Sequence, residues 1–210
     1  MIGYPQVKRL IDALLAGVGL LVTGPVCLVV AALVRARMGS PVLFRQERLG
    51  RHGEPFHVVK FRTMLDVDPA RGLVADADRL TPFGQFLRAT SLDELPTLWN
   101  VLRGQMSLVG PRPLPTRYRD RYSPTQWRRH EVRPGVTGLA QIRGRNGLSW
   151  TAKFDSDVEY VDHCGPALDF KIIMGTFRLV LRREGISAEG CATAHEFLGD
   201  GARVVPGRPR

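Results

Sequence analysis

From Ala13 to Val34 the chain reads "ALLAGVGLLVTGPVCLVVAALV", 22 residues without a charged side chain. As an α-helix such a run is about 33 Å long, against a bilayer hydrocarbon core of about 30 Å. Thr23-Gly24-Pro25 falls near its centre, where Pro25 removes a backbone donor and crowds the preceding turn while Gly24 weakens the helix further. The segment is expected to bend there. Both flanks are basic, Lys8 and Arg9 before it and Arg35 and Arg37 after it, so a through-span would leave one basic flank on the side that the positive-inside rule disfavours. The expectation is a re-entrant helix-break-helix, residues 1–38, with the break at Thr23, Gly24 and Pro25 and both flanks cytosolic. A cleaved signal peptide conflicts with the length of the run and with Arg35 and Arg37 where a small-residue cleavage site belongs. A buried core helix needs fewer uncharged residues. A kinked true span stays open, because membrane helices tolerate proline.

Beyond the anchor the chain is long enough, and at 44% hydrophobic residues apolar enough, to build one core. Cys27, Cys164 and Cys191 are odd in number and widely spaced, which suggests neither a disulfide framework nor a CxxC metal site and fits a cytosol-facing body. Five histidines lack ligand-like spacing and read as ordinary core or surface residues rather than a zinc site. A formal net charge of +10 favours a polyanionic partner: nucleic acid, an anionic membrane surface or a phosphorylated substrate.

The body is expected to be α+β and helix-rich, a single globular domain over residues 39–199 with a flexible tail, "VVPGRPR", within 200–210. "PVLFRQERLGRHGEPFHVVKFRTM" has two β-like runs around a Gly-rich bend and reads as a hairpin, its second run closed by Lys60 and Arg62. "DVDPARGLVADADR" reads as a loop. Thr81-Pro82 is an N-cap with a first-turn proline, and the short helix that follows delivers Arg88 towards an acidic pair. Leu95, Leu98, Trp99 and Leu102 fall at i, i+3, i+4, i+7, so "DELPTLWNVLRG" predicts an amphipathic helix that starts near Asp93 and Glu94 and ends near Gly104. "SPTQWRRHEV" carries a second capping signal, and "DFKIIMGTFRLVLRREG" reads as a helix from an Asp cap to a glycine. The arginine pairs in "QWRRHEV" and "LVLRREG", and Asp157 in "KFDSDVEYV", read as solvated helix faces.

The acidic pair admits a structural explanation, since Ser91-x-x-Glu94 is a capping-box pattern and carboxylates in a first turn favour the macrodipole by about 0.3–1 kcal/mol. The same helix end also offers free N–H groups for phosphate. An ionised carboxylate there can attack phosphorus or bind Mg²⁺, and Arg88, Arg112 and Arg145 can neutralise phosphate oxygens.

"KFRTM" (60–64), "SLDELPTLWNVLRGQMSLVGPRP" (91–113), "RPGVTGLAQIRGRN" (133–146) and "KFDSDVEYV" (153–161) occur in order. Together they resemble the bacterial monotopic phosphoglycosyl transferases that start glycoconjugate assembly on a polyprenyl phosphate. The likeness runs from about Lys8 to Gly199. The C-terminal "EGCATAHEFLG" further resembles short members, including the enzyme that starts bacterial N-glycan assembly; larger members carry a multispan region ahead of this core, for which this chain is expected to have no room. The resemblance implies transfer of a sugar-1-phosphate from a UDP-sugar to undecaprenyl phosphate, giving undecaprenyl-diphospho-sugar and UMP. It implies a ping-pong route with Asp93 as nucleophile on the β-phosphate, through a covalent phosphosugar-aspartate. Glu94 supports metal binding or proton handling, and Mg²⁺ is the cofactor, with Asp93 and Glu94 its ligands. Lys60, Arg62, Arg88, Arg112, Arg145 and Asn146 are the candidate phosphate and nucleotide contacts. The family's re-entrant helix breaks at a Ser-Pro, in place of which this chain has Thr23-Gly24-Pro25.

Inner-membrane lipids are then the expected surroundings and the cytosolic face of the inner membrane the expected location. A basic nucleic-acid-binding protein is the rival from another class, but neither a binding motif nor interleaved basic and aromatic residues occur. An inactive scaffold of the same fold is disfavoured by the intact Asp93, Glu94 and arginine motifs. The identity of the sugar and the oligomeric state are not written in the sequence.

Overall fold

The computed structural model describes residues 3–144, 147–182 and 196–199. Its first element, α1 (Tyr4–Met38), is one helix of 35 residues with Pro25 inside it, about 52 Å long at 1.5 Å per residue. The expected separation into two helices at Thr23-Gly24-Pro25 is therefore not seen; the helical assignment passes through the proline. Pro25 has no N–H to offer the preceding turn, and in that turn Thr23 Oγ1 donates to Gly19 O at 2.7 Å. Packing on both sides of the proline splints the element. Ala16 is buried with Phe56, Val58, Val101 and Met106, and Val30, Val34 and Met38 are buried with Phe61 and Leu87. Arg35 and Arg37 sit in the last turn, where positive charge complements the helix dipole.

The hairpin is present as expected. β1 (Leu43–Leu49) and β2 (Pro55–Phe61) pair antiparallel, in register Leu43↔Phe61 to Leu49↔Pro55. The loop after it holds a 3₁₀ turn over Pro69–Arg71 and a short helix, α2 (Asp76–Arg79). In α3 (Pro82–Ala89), Thr81 accepts from Gly84 N–H as the predicted N-cap. A Cβ on Gly84 would lie 1.8 Å from Thr63 O, so only glycine lets α3 close onto the end of β2 and bring Arg88 beside it.

The next helix, α4 (Thr97–Leu102), begins later than the apolar spacing suggests, after a separate 3₁₀ turn over Leu92–Glu94. Its buried face is Thr97, Asn100 and Val101. Leu98 and Leu102 pack beside that core and Trp99 is exposed. Polar groups win the inner position because β2 has backbone groups to satisfy there. Thr97 Oγ1 donates to Val59 O (3.0 Å), Asn100 Nδ2 to His57 O (2.7 Å), and Val59 N–H to Asn100 Oδ1 (3.1 Å).

β3 (Ser107–Val109) and β4 (Gly135–Thr137) form a two-stranded parallel sheet. Between them α5 (Pro124–Trp127) carries the anticipated capping box of Ser123 and Gln126. α6 (Leu139–Arg143), α7 (Trp150–Asp162) and α8 (Pro166–Arg182) complete the body. α8 starts three residues before Asp169, so Asp169 is not its N-cap. It lies buried in a network that fastens the start of α1, accepting from Tyr4 OH at 2.6 Å and Lys8 Nζ at 2.5 Å on one oxygen, and from Tyr160 OH at 2.7 Å on the other. Asp12 adds a second tie, to Ser107 Oγ at 2.7 Å. The architecture is helix-rich α+β, and α1 lies along the body rather than standing away from it.

Candidate active site

Ser91 does not cap a helix. It adopts a left-handed backbone (φ 57°) with no side-chain cap hydrogen bond, and Glu94 turns away from the helix start to two cations. Glu94 Oε1 accepts from Lys60 Nζ at 2.5 Å and from Arg112 Nη2 at 2.8 Å. The capping-box explanation of "SLDE" is overturned by this geometry. Asp93, on the same 3₁₀ turn, is 9% exposed.

Three segments meet here. Lys60 comes from β2, opposite Phe44 of β1. Arg88 comes from the last turn of α3 and donates through Nε to Thr63 Oγ1 at 3.1 Å, with its charge felt at Asp93. Arg112 follows β3 in "GPRP". That segment is drawn tightly against "RPGVTG": a Cβ on Gly135 would lie 2.1 Å from Gly110 N, so these two chains meet backbone to backbone.

The two carboxylates are electrostatically unlike. Burial pushes the Asp93 carboxyl up and the neighbouring Glu94 charge adds to it; Lys60, Arg112 and Arg88 oppose them only in part, leaving it at about 6. Burial also acts to raise Glu94, but Lys60 and Arg112, by charge and by direct hydrogen bonds, hold it well below the usual carboxylate range. Glu94 is thus a permanent anion that fixes two cations, while Asp93 is an ionised but poorly compensated carboxylate above pH 6. A carboxylate with raised pKa and few neutralising bonds retains basicity, and with it nucleophilic strength.

Of the residues singled out from sequence, Lys60, Arg88, Arg112, Asp93 and Glu94 converge. Arg62 does not: it is buried, and its guanidinium binds Met38 O, Ser40 O (3.1 Å) and Asp66 (3.2 Å), fastening the end of α1. Arg145 and Asn146 lie outside the described residues, as do most of "EGCATAHEFLG" and the tail from 200. Asp157 and Arg129 are not solvated, contrary to the sequence reading. Both are buried, with Arg129 Nε and Nη2 donating to Asp157 Oδ2 at 3.0 and 2.7 Å. Arg129 Nη2 also donates to Arg112 O at 2.7 Å, so the pair holds the main chain that presents Arg112. Its neighbour Arg128 is exposed and pairs with Asp162 and Glu131; alternation within one "RR" dipeptide separates a structural from a surface arginine.

Mg²⁺ is commonly held by one or two carboxylates together with substrate phosphate oxygens and water; were it bound here, Asp93 and Glu94 Oε2 would be the oxygens available, since Glu94 Oε1 faces Lys60 and Arg112. Among the described residues no group of three or more His, Cys, Asp or Glu side chains gathers to hold a metal ion.

The sequence matches the model of the family described as bacterial sugar transferase over residues 4–183. It is 50% identical over 195 residues to EpsL, an uncharacterized sugar transferase of Bacillus subtilis (strain 168), covering 92% of this chain and 96% of that protein. It is 41% identical over 181 residues to the UDP-glucose:undecaprenyl-phosphate glucose-1-phosphate transferase of Caulobacter vibrioides, covering 80% of this chain and 67% of the relative. The Escherichia coli (strain K12) protein of the same name is 40% identical over 180 residues, 80% of this chain but 39% of that longer protein. A match through both the anchor and the acidic turn, at this identity, makes the chain a member of the bacterial sugar transferase family and an enzyme, a phosphoglycosyl transferase.

Proposed function

We propose that the enzyme transfers a sugar-1-phosphate from a UDP-sugar to undecaprenyl phosphate, giving undecaprenyl-diphospho-sugar and UMP, at the membrane step that opens synthesis of a bacterial glycan, capsule or exopolysaccharide. The observation that carries this reading is the asymmetry of the acidic pair, with Glu94 bound to Lys60 and Arg112 and Asp93 buried with its pKa raised to about 6. The names of the Caulobacter and Escherichia relatives support the two substrates.

Asp93 attacks the β-phosphorus of the UDP-sugar. A carboxylate oxygen–phosphorus bond forms, the bond to the bridging oxygen breaks, and its electron pair leaves on UMP. An oxygen of the lipid phosphate then attacks the same phosphorus and returns Asp93 as a carboxylate. Charge neutralisation matters more here than proton transfer. Arg112 and Lys60, held by Glu94, face the phosphate oxygens, and Arg88 flanks the nucleophile. Asp93 and Glu94 would hold Mg²⁺, which when bound would supply further neutralisation of the pyrophosphate. Exhaustive chelation with EDTA is expected to abolish turnover, and added Mg²⁺ to restore it.

The membrane arrangement follows from the anchor. Apolar side chains on α1, among them Leu10, Leu14, Leu21, Val22 and Leu28, are exposed, and among the described residues α1 alone is long and apolar enough to cross a bilayer. Both ends of α1 nevertheless pack on one body, through Lys8 and Asp12 at one end and Val34 and Met38 at the other. A helix fastened along its length to one body, with apolar side chains exposed on its other face, favours a monotopic arrangement in which that face enters a single leaflet, and the basic flanks favour the cytosolic face of the inner membrane. Release of UMP from UDP-glucose that depends on undecaprenyl phosphate tests the function. Absence of lipid-dependent release from UDP-glucose, UDP-galactose and UDP-N-acetylglucosamine alike would reject it.

A further inference from the structure

Between the acidic turn and α8 lies a cavity of about 160 Å³. Leu95, Leu98, Val136 and Leu179 supply its apolar lining, and Ser91 and Glu94 bring the acidic turn to it. Its two threonine hydroxyls are spent within the protein: Thr137 Oγ1 and Thr176 Oγ1 lie 2.6 Å apart, and Thr176 Oγ1 donates to Ile172 O at 2.8 Å. Gln141 Nε2 donates to Val136 O at 2.9 Å.

We propose that this cavity seats the isoprene unit nearest the phosphate of the lipid acceptor, making Leu95, Leu98, Val136 and Leu179 determinants of acceptor specificity. The inference rests on the transfer reaction proposed above. Size, chemistry and position support it together. An apolar cavity of about 150 Å³ holds a benzene molecule, so this one suits a five-carbon prenyl unit. Branched aliphatic walls match methyl-branched chain better than they match a nucleobase, which calls for stacking partners. Glu94 lines the cavity and is bound to Lys60 and Arg112, so a phosphate attached to the seated unit meets two cations at the reacting turn. The cavity also adjoins the apolar helix α1 through its lining residue Leu98. Leu98 Cδ1 lies 3.1 Å from where a Cβ on Gly19 of α1 would stand, and α1 exposes Leu15, Val18 and Val22 around that point. The rest of the prenyl chain would then run along the exposed apolar side chains of α1.

The competing occupant is the sugar of the donor, for which Gln141 Oε1, buried without a hydrogen-bond partner, and the Ser91 hydroxyl are favourable features. Steady-state kinetics of the full-length enzyme in detergent, with UDP-glucose (or whichever UDP-sugar supports turnover) and undecaprenyl phosphate varied separately, separate the two. Leu179→Trp, which fills the cavity, is expected to raise the KM for undecaprenyl phosphate at least tenfold and leave the KM for the UDP-sugar within twofold. Leu179→Ala, which introduces no clash, is expected to raise the lipid KM several-fold. Unchanged lipid KM in both variants, or a rise confined to the UDP-sugar KM, would overturn the assignment while leaving the reaction standing. Wild-type enzyme without lipid-dependent turnover would overturn the reaction, and the assignment with it.

Discussion

Lys60 Nζ lies 2.5 Å from Glu94 Oε1, so the strand that ends in "KF" is tied by charge to the carboxylate next to Asp93. This contact assigns different work to two adjacent acidic residues, and it makes the titration of one depend on the other.

The pH dependence follows. Asp93 must be ionised to attack, so kcat/KM is expected to fall as pH drops through about 6. Part of that elevation comes from the Glu94 charge. Glu94→Gln removes the like charge and releases Lys60 and Arg112 to act on Asp93, so the acidic limb of the profile is expected to move to lower pH, with maximal rate reduced by about 10²–10³ through loss of ordered phosphate-binding cations. A pH–rate profile of the variant checks this; an acidic limb that stays in place or moves upward would separate Asp93 from Glu94.

Stability should respond to Asp93 in the opposite sense to activity. Its carboxyl has a higher pKa folded than unfolded, so the folded state gains from the protonated form below about pH 4 and loses that gain as pH rises through about 6. Above pH 6 the buried anion costs on the order of 2–3 kcal/mol. Asp93→Asn is therefore expected to melt several degrees above wild type at pH 7.5, with the gap closing as pH is lowered from 6 towards 4. Thermal unfolding across that range measures it, and a variant less stable than wild type at pH 7.5 would contradict the burial argument.

Topology is testable by labelling. In a background with Cys27, Cys164 and Cys191 replaced, Gly3→Cys before α1 and Ala70→Cys on the exposed loop of the body are expected to share one accessibility to an impermeant thiol reagent, protected in intact spheroplasts and labelled after lysis. Labelling of one site alone in intact spheroplasts would establish a through-span. Pro25→Ala restores a backbone donor in mid-helix and is expected to shift some molecules towards that split pattern.

Much of this was legible in the sequence where the signal is local. The hairpin, the Thr81 cap and the Ser123–Gln126 box depend on neighbours a few residues away, and they form as the sequence predicts. Lys60, Arg88 and Arg112 gather at the acidic turn, Arg88 delivered there by the short helix that the Thr81-Pro82 cap predicts. The failures are long-range. Ser91 and Glu94 have capping-box spacing, but ion pairs to Lys60 and Arg112, 34 and 18 residues away, outcompete the cap. Arg62 sits two residues from Lys60, and strand alternation alone would place both on one face; beyond the end of β2 that alternation lapses and Arg62 turns to Met38 O. Arg129 and Asp157 read as solvent-facing charges because nothing in "QWRRHEV" or "KFDSDVEYV" reveals that each is the other's partner, 28 residues apart. The continuous α1 reflects tertiary packing on both sides of Pro25, which helix propensity does not contain.

The central claim is that Asp93 is the nucleophile, and intact-mass spectrometry tests it most directly. Wild-type enzyme given a productive UDP-sugar without lipid acceptor and quenched rapidly is expected to gain the mass of one sugar-phosphate, mapped to Asp93 by peptide analysis, with UMP released in equal amount. Undecaprenyl phosphate is expected to discharge the adduct, and Asp93→Asn, folded but with an amide in place of the carboxylate, to acquire none. An Asp93→Asn variant with near-normal turnover, or a wild type that turns over with lipid yet never carries the adduct, would contradict the account and return the acidic pair to binding alone.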